Sequence, residues 1–171
     1  MKATLYELPG PWKGRFAIAP RPRGGDWLED DVRALRSAPV DLIVSTLTPG
    51  EQAELGLEDE AQLSRAAGIE YVAFPIEDRG VPASSAATEL VERIRSDLAV
   101  GKNVAIHCRA GIGRSSILAA AVLITSGMDV DAAFQQIEKA RGLAVPDTPE
   151  QRAWVERFAR EAFDRPQRAA S

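Results

Sequence analysis

The sequence predicts a single α/β domain in which a mostly parallel central sheet of about four to five strands carries helices on both faces. The chain has 171 residues, which is most simply one domain. Short apolar segments alternate along it with longer segments of helical periodicity, which is typical of a parallel sheet covered by helices. We expect the domain to occupy residues 1–165 and a polar tail to occupy residues 166–171.

The first third of the chain predicts a strand, a helix and a second strand. Residues 15–19 are a short apolar strand candidate. Asp26 is of a residue type that caps helix N-termini. After it, aliphatic side chains recur at helical spacing, at Leu28, Val32 and Leu35. Residues 40–45, VDLIVS, are typical of a strand that is buried on both faces.

The middle third repeats this alternation. Residues 58–67 predict a helix that Gly68 ends, and residues 70–75 predict the next strand. A longer helix follows, for which Ser84 or Ser85 is the expected N-cap. Its buried face is predicted from aliphatic residues that recur at helical spacing, namely Leu90, Val91, Ile94 and Leu98.

The last third contains a strand candidate over residues 103–107 and helix candidates over residues 114–126 and 129–140. Residues 148–151 read TPEQ, which has the pattern of a capping box with proline at the first helical position and predicts a further helix. In an open parallel sheet, the loops after the carboxyl ends of the strands build the ligand site. The loop after residue 107 therefore occupies the expected position of a functional site.

Composition excludes several classes of protein. The net charge of −4 argues against a general nucleic-acid binder, and a single cysteine excludes both an intramolecular disulfide and a cysteine-rich zinc site. The first twenty residues contain prolines and charges where a signal peptide needs an apolar run. The longest apolar stretch, residues 117–125, is too short to span a bilayer. We expect a cytoplasmic protein that has neither nucleic acid nor membrane as a partner.

Residues 107–116 read HCRAGIGRSS and contain the only histidine and the only cysteine of the chain. Gly111 and Gly113 let the backbone turn so that successive N–H groups point inward, and the following helix adds the positive end of its dipole. Such a loop can hold a phosphate, and Arg114 adds a planar set of donors. A cationic, donor-rich site of this kind favours the thiolate form of Cys108, which is a nucleophile.

His107, Cys108, five further residues, Arg114 and Ser115 match the HCx5R(S/T) signature of the cysteine-dependent protein tyrosine phosphatases. The chain resembles the compact dual-specificity branch of that superfamily. The family also needs a carboxylic acid on a separate loop upstream of the cysteine. Residues 75–82, PIEDRGVP, resemble this acid loop.

The resemblance implies a role for each of these residues. Arg114 and the loop N–H groups bind the phosphate while Cys108 attacks phosphorus. Asp78 protonates the leaving oxygen and then activates the water that hydrolyses the cysteinyl-phosphate. Ser115 donates a hydrogen bond to the departing thiolate. The resemblance implies no metal or other cofactor, because Arg114 and the loop N–H groups stabilise the charge on the transferred group. The residues implied in phosphate binding are Arg109, Ala110, Gly111, Ile112, Gly113 and Arg114.

For several other residues near these motifs, two roles are possible from the sequence. His107 is expected to support the thiolate from outside the reacting atoms rather than to take part in catalysis. Glu77 is a rival acid, although its position fits the family motif less well. Gln151 either orients the hydrolytic water or only caps a helix, and the TPEQ pattern favours capping. Arg109 and Arg79 either contact a phosphopeptide at the rim or are solvated charges.

The interior of the loop bears on the substrate. Inositide phosphatases of the superfamily carry lysines among these loop residues, where this chain has Ala110 and Ile112. The resemblance therefore implies a phosphotyrosine-containing protein or peptide as substrate, and leaves phosphoserine and phosphothreonine open. The alternatives are an inositol polyphosphate or phytase-like phosphatase, a sulfurtransferase of the rhodanese type, and a non-catalytic phosphate-binding pseudophosphatase.

Overall fold

The computed structural model describes residues 2–169, with side chains described up to residue 165, and contains one five-stranded sheet. The strands in chain order are β1 Tyr6–Glu7, β2 Phe16–Ile18, β3 Leu42–Ser45, β4 Glu70–Ala73 and β5 Val104–His107. Their order across the sheet is β1-β2-β5-β3-β4, and every neighbouring pair is parallel except β1 with β2. The predicted mostly parallel α/β sheet is confirmed.

Among the described residues, seven α-helices cover the sheet. They are α1 Leu28–Ser37, α2 Pro49–Leu55, α3 Glu60–Ala66, α4 Ser84–Ala99, α5 Arg114–Thr125, α6 Val130–Arg141 and α7 Pro149–Ala169. Core residues of α1 pack on one face of the sheet, and those of α4 to α7 pack on the other. In the part of the chain that the structure describes, no helix combines the length and apolar character needed to cross a membrane.

The strand β5 lies at the centre of the domain. Val104 and Ile106 belong to the core cluster under α5, whereas Ala105 belongs to the cluster on the opposite face. Both faces of β5 are thus buried, as is typical of a central parallel strand. Helix α5 is buried from Arg114 to Ile124, which explains why its sequence is apolar on nearly every side.

The structure contains two elements, β1 and α2, that were not predicted from the sequence. The edge strand β1 has only two residues, too few to produce a recognisable alternation. Helix α2 has seven residues and includes Pro49 and Gly50, which are more typical of a turn. Thr48 and Glu51 nevertheless form a complete capping box at its start, so the missed signal was the TPGE sequence.

The predicted N-caps at Asp26 and at Ser84 or Ser85 are wrong. Asp26 lies in a 3-10 turn before α1, because the chain is held there by a hydrogen bond from Gly25 N to Gly56 O. Helix α4 begins at Ser84 after an extended Ala83, and no side chain caps it. Helix α7 continues to Ala169 and so enters the predicted polar tail over residues 166–171, which stays a prediction. Residues 170 and 171 lie outside the described residues.

The loops that follow β3, β4 and β5 meet at the carboxyl edge of the sheet. Thr46 donates to the His107 carbonyl from its N–H, at 3.0 Å, and from its hydroxyl, at 3.1 Å. Ile76 N in turn donates to Thr46 O at 3.0 Å. These bonds continue the strand ladders past the strand ends, so the three loops lie side by side where the ligand site was expected.

Candidate active site

Residues 108–113, called the phosphate loop from here on, connect the end of β5 to the start of α5. Cys108 is 2% exposed, and its Sγ accepts a hydrogen bond from Gly111 N at 3.0 Å. Its Sγ also lies 3.2 Å from Ser115 Oγ. Gly111 has a φ of 69°, a conformation that glycine adopts without strain. The thiol therefore lies at the base of a tight loop beside two donor groups, at the N-terminus of a long buried helix.

Arg114 forms an ion pair with Glu51, a residue that the sequence did not reveal as part of the site. Its Nη1 and Nη2 bind Glu51 at 2.7 and 2.8 Å, and Nη1 also donates to Ile76 O at 2.8 Å. The hydrogen bond from Arg114 lowers the pKa of Glu51 to about 2 against the effect of burial. Burial alone would lower the pKa of Arg114, but the hydrogen bond and charge of Glu51 outweigh it and raise that pKa. Arg114 is thus charged and fixed in orientation.

The acid loop brings one carboxylate to Arg114. Asp78 Oδ1 lies 3.4 Å from Arg114 Nη2, and its side chain is 64% exposed. Glu77 is exposed too, and its carbonyl accepts from Gly80 N at 2.8 Å in the turn that presents Asp78. The turn includes Arg79 at a φ of 60°. Of the two rival acids, Asp78 is the one with a contact to Arg114.

Gln151 contacts both loops instead of completing a capping box. Thr148 Oγ1 accepts from Gln151 N at 3.1 Å, so half of the predicted box is present. The Gln151 side chain accepts from Asp147 N at 3.0 Å and donates to Gly80 O at 3.1 Å. It also lies against Gly113, where a Cβ would come within 2.8 Å of its Oε1. The capping interpretation is therefore incomplete, because this fully buried amide connects α7 to the acid loop.

Arg141 at the end of α6 is a second residue that the sequence analysis missed. Its Nε donates to Gly111 O at 2.8 Å and its Nη2 to Ala110 O at 3.1 Å. The guanidinium also lies 4.0 Å from the centre of the Tyr6 ring, a cation–π contact. Because Arg141 binds carbonyl groups of the phosphate loop, it restrains the loop from its outer side.

The remaining predicted residues lie at the rim and behind the loop. Arg109 is exposed, and its guanidinium donates to the Glu54 carboxylate at 2.9 and 3.1 Å. The hydrogen bond with Glu54 raises the pKa of Arg109. His107 is buried, and its Nε2 lies 2.8 Å from Glu60 Oε1. Glu60 is the third residue that was missed. Among residues 2–169, no three His, Cys, Asp or Glu side chains are grouped so that they could hold a metal ion.

Comparison with known proteins identifies the family to which this site belongs. A family model described as polymorphic toxin system, DSP-PTPase phosphatase, matches residues 18–128. The matched stretch runs from β2 through α5 and includes the acid loop and the phosphate loop. The resemblance predicted from two separated motifs is confirmed.

Two curated relatives are similar to the chain in sequence, and a solved structure has the same fold. The chain is 35% identical over 80 residues to protein tyrosine phosphatase type IVA 3 of Homo sapiens, covering 46% of each protein. It is 26% identical over 166 residues to protein tyrosine phosphatase domain-containing protein 1 of Danio rerio, covering 82% of this chain and 23% of that protein. The chain spans less than half the length of these two relatives. A crystal structure of kinase associated phosphatase superposes with a TM-score of 0.88 at 20% identity, covering 95% of this chain and 97% of the other.

Proposed function

The chain belongs to the DSP-PTPase phosphatases of polymorphic toxin systems, and from this premise we propose that it hydrolyses phosphotyrosine in a protein or peptide through a cysteinyl-phosphate intermediate. Phosphoserine and phosphothreonine are further candidate substrates. The observation that carries the proposal is the position of the Cys108 Sγ, which lies next to Gly111 N and Ser115 Oγ at the base of the phosphate loop.

The proposed reaction has two steps. In the first, the Cys108 thiolate forms the S–P bond while the P–O bond to the leaving group breaks, and Asp78 gives its proton to the leaving oxygen. In the second, a water attacks phosphorus and gives a proton to Asp78 as the S–P bond breaks. Ser115 donates to the sulfur that departs. Arg114 and the loop N–H groups stabilise the charge on the transferred group in both steps.

The charges around the phosphate loop support a substrate with a single phosphate. Arg109 is already paired with Glu54, and Arg114 with Glu51. Ala110 is exposed at the loop, at a position where inositide phosphatases carry cationic residues. A ligand with several phosphates would have to displace existing ion pairs. This arrangement favours a phosphoprotein over an inositol polyphosphate.

The first experiment compares hydrolysis of an aryl phosphate and a phosphotyrosyl peptide by the wild type and by variants. We expect Cys108→Ser to be inactive yet still bind the peptide, and Asp78→Ala to lose most of its turnover with little change in KM. The matched control is Glu77→Ala, which removes the neighbouring carboxylate and should retain activity. Turnover by Cys108→Ser would contradict the mechanism, and equal losses in Asp78→Ala and Glu77→Ala would contradict the assigned acid.

The same preparation separates the alternatives. Faster release of phosphate from inositol hexakisphosphate than from the peptide would favour the phytase-like function. Thiocyanate formation from thiosulfate and cyanide would favour a rhodanese. Peptide binding without any hydrolysis by the wild type would favour a pseudophosphatase. A cytoplasmic location stays a prediction.

Gln151 and His107 act in this proposal without touching the reacting atoms. Gln151 holds the acid loop by its bond to Gly80 O, and so places Asp78. If Gln151 oriented the hydrolytic water instead, Gln151→Ala would accumulate cysteinyl-phosphate. A burst of phenol release followed by slow turnover in that variant would therefore distinguish the two roles.

A further inference from the structure

A cationic cleft lies at the carboxyl edge of the sheet, and the proposed reaction leaves it without a role. It has a volume of about 240 Å³ and lies between α1, the residues before β1 and the segment that follows β2. Its charged lining side chains are three cations and one carboxylate, namely Lys2, Arg21, Arg23 and Asp31. The chain as a whole has a net charge of −4, so the charge of this cleft has the opposite sign to that of the protein.

The strand ladders place the cleft next to the phosphate loop. Ile18, the last residue of β2, lies opposite Ile106 of β5, and Ala19 N donates to Ile106 O at 2.9 Å. A Cβ on Gly111 would come within 3.4 Å of Ile18 Cγ2, so the end of β2 packs against the phosphate loop. Residues 20–23, which form one wall of the cleft, continue the chain directly from this point.

The same segment then reaches the other side of the phosphate loop. Gly25 N donates to Gly56 O at 3.0 Å, just after the end of α2. The last turn of α2 carries Glu54, whose carboxylate binds Arg109 of the phosphate loop. Residues 20–25 therefore run from one flank of the phosphate loop to the helix that pairs with its rim, and the cleft borders the mouth of that loop.

The cations of the cleft differ in how far the protein itself occupies them. Arg23 binds the Asp31 carboxylate through Nε and Nη2 at 2.6 to 3.2 Å. Arg21 is half-buried and donates to Pro22 O at 3.3 Å, and within the described residues neither Arg21 nor Lys2 pairs with a carboxylate. Partial burial of a guanidinium without a counter-charge costs free energy, which an incoming carboxylate would recover.

We propose that this cleft binds carboxylate side chains of the same protein segment that carries the phosphotyrosine, with Arg21 as the main contact and Lys2 as a second charge. A carboxylate accepts two parallel hydrogen bonds from the planar donors of an arginine, which gives the contact direction as well as charge. The inference rests on the proposed function, because it assigns the cleft to the substrate of that reaction and narrows the substrate to acidic phosphopeptides.

The first test compares two phosphotyrosyl peptides in the wild type. One carries glutamates on both sides of the phosphotyrosine, and the other carries glutamines at the same positions. We expect kcat/KM to be about fivefold higher for the acidic peptide at low ionic strength, and this advantage to shrink as salt is added. An equal or lower kcat/KM for the acidic peptide would overturn the proposal, and this comparison needs no variant that has to fold.

The second test assigns the preference to the cleft. Arg21→Gln should reduce the preference for the acidic peptide to less than about twofold, and should leave hydrolysis of a small aryl phosphate unchanged. The matched control is Arg95→Gln, which makes the same change of charge on α4, on the opposite face of the sheet. An equal loss of preference in both variants would overturn the proposal, because it would assign the preference to the overall charge of the protein.

Binding of both peptides to Cys108→Ser separates this inference from the proposed function. Tighter binding of the acidic peptide, lost when Arg21→Gln is added, would support the cleft even if the wild type hydrolysed neither peptide, and that absence of hydrolysis would contradict the proposed function alone. Equal hydrolysis of both peptides would contradict the cleft alone. Arg21-dependent binding to phosphatidylserine vesicles, with no preference between the peptides, would overturn the proposal and assign the cleft to a lipid surface.

Discussion

Replacing Glu51 by glutamine removes the charge that holds Arg114 while it keeps the length of the side chain. The two residues form a paired contact at 2.7 and 2.8 Å, with side chains that are only 11% and 2% exposed. In Glu51→Gln the guanidinium stays charged and buried, with Ile76 O, Thr46 O and the rim carboxylate of Asp78 as its remaining partners. Removing one partner of a buried ion pair is strongly destabilising, because the other charge is left without compensation.

The size of the effect follows from the pKa of Glu51. A fall from 4.5 in the unfolded chain to about 2 in the folded state corresponds to roughly 3 kcal/mol, at about 1.4 kcal/mol per pKa unit. Because the folded pKa is the lower one, this contribution is fully present above about pH 4.5 and is lost as the pH falls towards 2. Linkage over this range removes roughly 2 kcal/mol of it between pH 7 and pH 3.

Urea denaturation of the wild type and Glu51→Gln at several pH values measures both quantities. We expect a difference in the free energy of unfolding of roughly 3 kcal/mol at pH 7 that shrinks to less than half by pH 3. Glu54→Gln is the matched control, because its carboxylate is 61% exposed and its pair with Arg109 should contribute little to stability. Equal stability of Glu51→Gln and the wild type at pH 7, or a difference that is the same at every pH, would refute this reasoning.

Four further predictions concern the loops around the thiol. Arg141→Met should lower kcat/KM roughly tenfold, because the Gly111 and Ala110 carbonyls lose the hydrogen bonds that restrain the phosphate loop. An unchanged kcat/KM would show that Arg141 does not contribute to the site. Gly113→Ala should reduce the free energy of unfolding by about 1–3 kcal/mol in urea denaturation, because the added Cβ would come within 2.3 Å of Asp147 Oδ2 and 2.8 Å of Gln151 Oε1; a change near zero would show that these two side chains move aside. Arg79→Gly should raise the free energy of unfolding by about 0.5–1 kcal/mol, and with it the melting temperature, because the φ of 60° at this position is strained for arginine and not for glycine. An equal gain in Arg79→Ala would show that the loss of the charge, and not the relief of strain, is the cause. Peroxide should oxidise the Cys108 thiolate to a sulfenic acid, or by loss of water to a cyclic sulfenamide with a backbone nitrogen, because the chain has no second cysteine for an internal disulfide; added thiol reverses both products. Mass spectrometry that finds only sulfinic acid would contradict this.

The parts of the fold and the site that could be predicted are those encoded by neighbouring residues. The phosphate loop lies within one contiguous segment. Its glycines permit the turn, and the adjacent Arg114 supplies the cation, so together they predict an anion site from local sequence alone. The acid loop was identified because residues 75–82, with Asp78, resemble the acid loop that the family requires. The central strands were found because runs such as residues 40–45 and 103–107 are apolar on both faces.

The missed residues lack any local signal. Glu60 reads as one of several acidic residues before a helix, and only the packing of α3 on the neighbouring strand β4 brings it within reach of His107. Arg141 looks like a cation at the end of a helix, where it is favourable in any protein. Glu51 belongs to a recognisable capping box, but its second use, with Arg114, depends on a contact between residues 63 positions apart. Partner choice over such separations is decided by tertiary packing, which a single sequence does not display.

The strand order has a consequence for how the protein is made. Because β5 is inserted between β2 and β3, those two strands do not pair with each other, although both are synthesised first. A nascent chain that ends before residue 104 therefore holds two separate strand pairs, each with an open inner edge. Unpaired edges of this kind are prone to intermolecular association. Translation must pass β5 before the molecule can close, so slow synthesis over residues 74–103 should increase its dependence on chaperones.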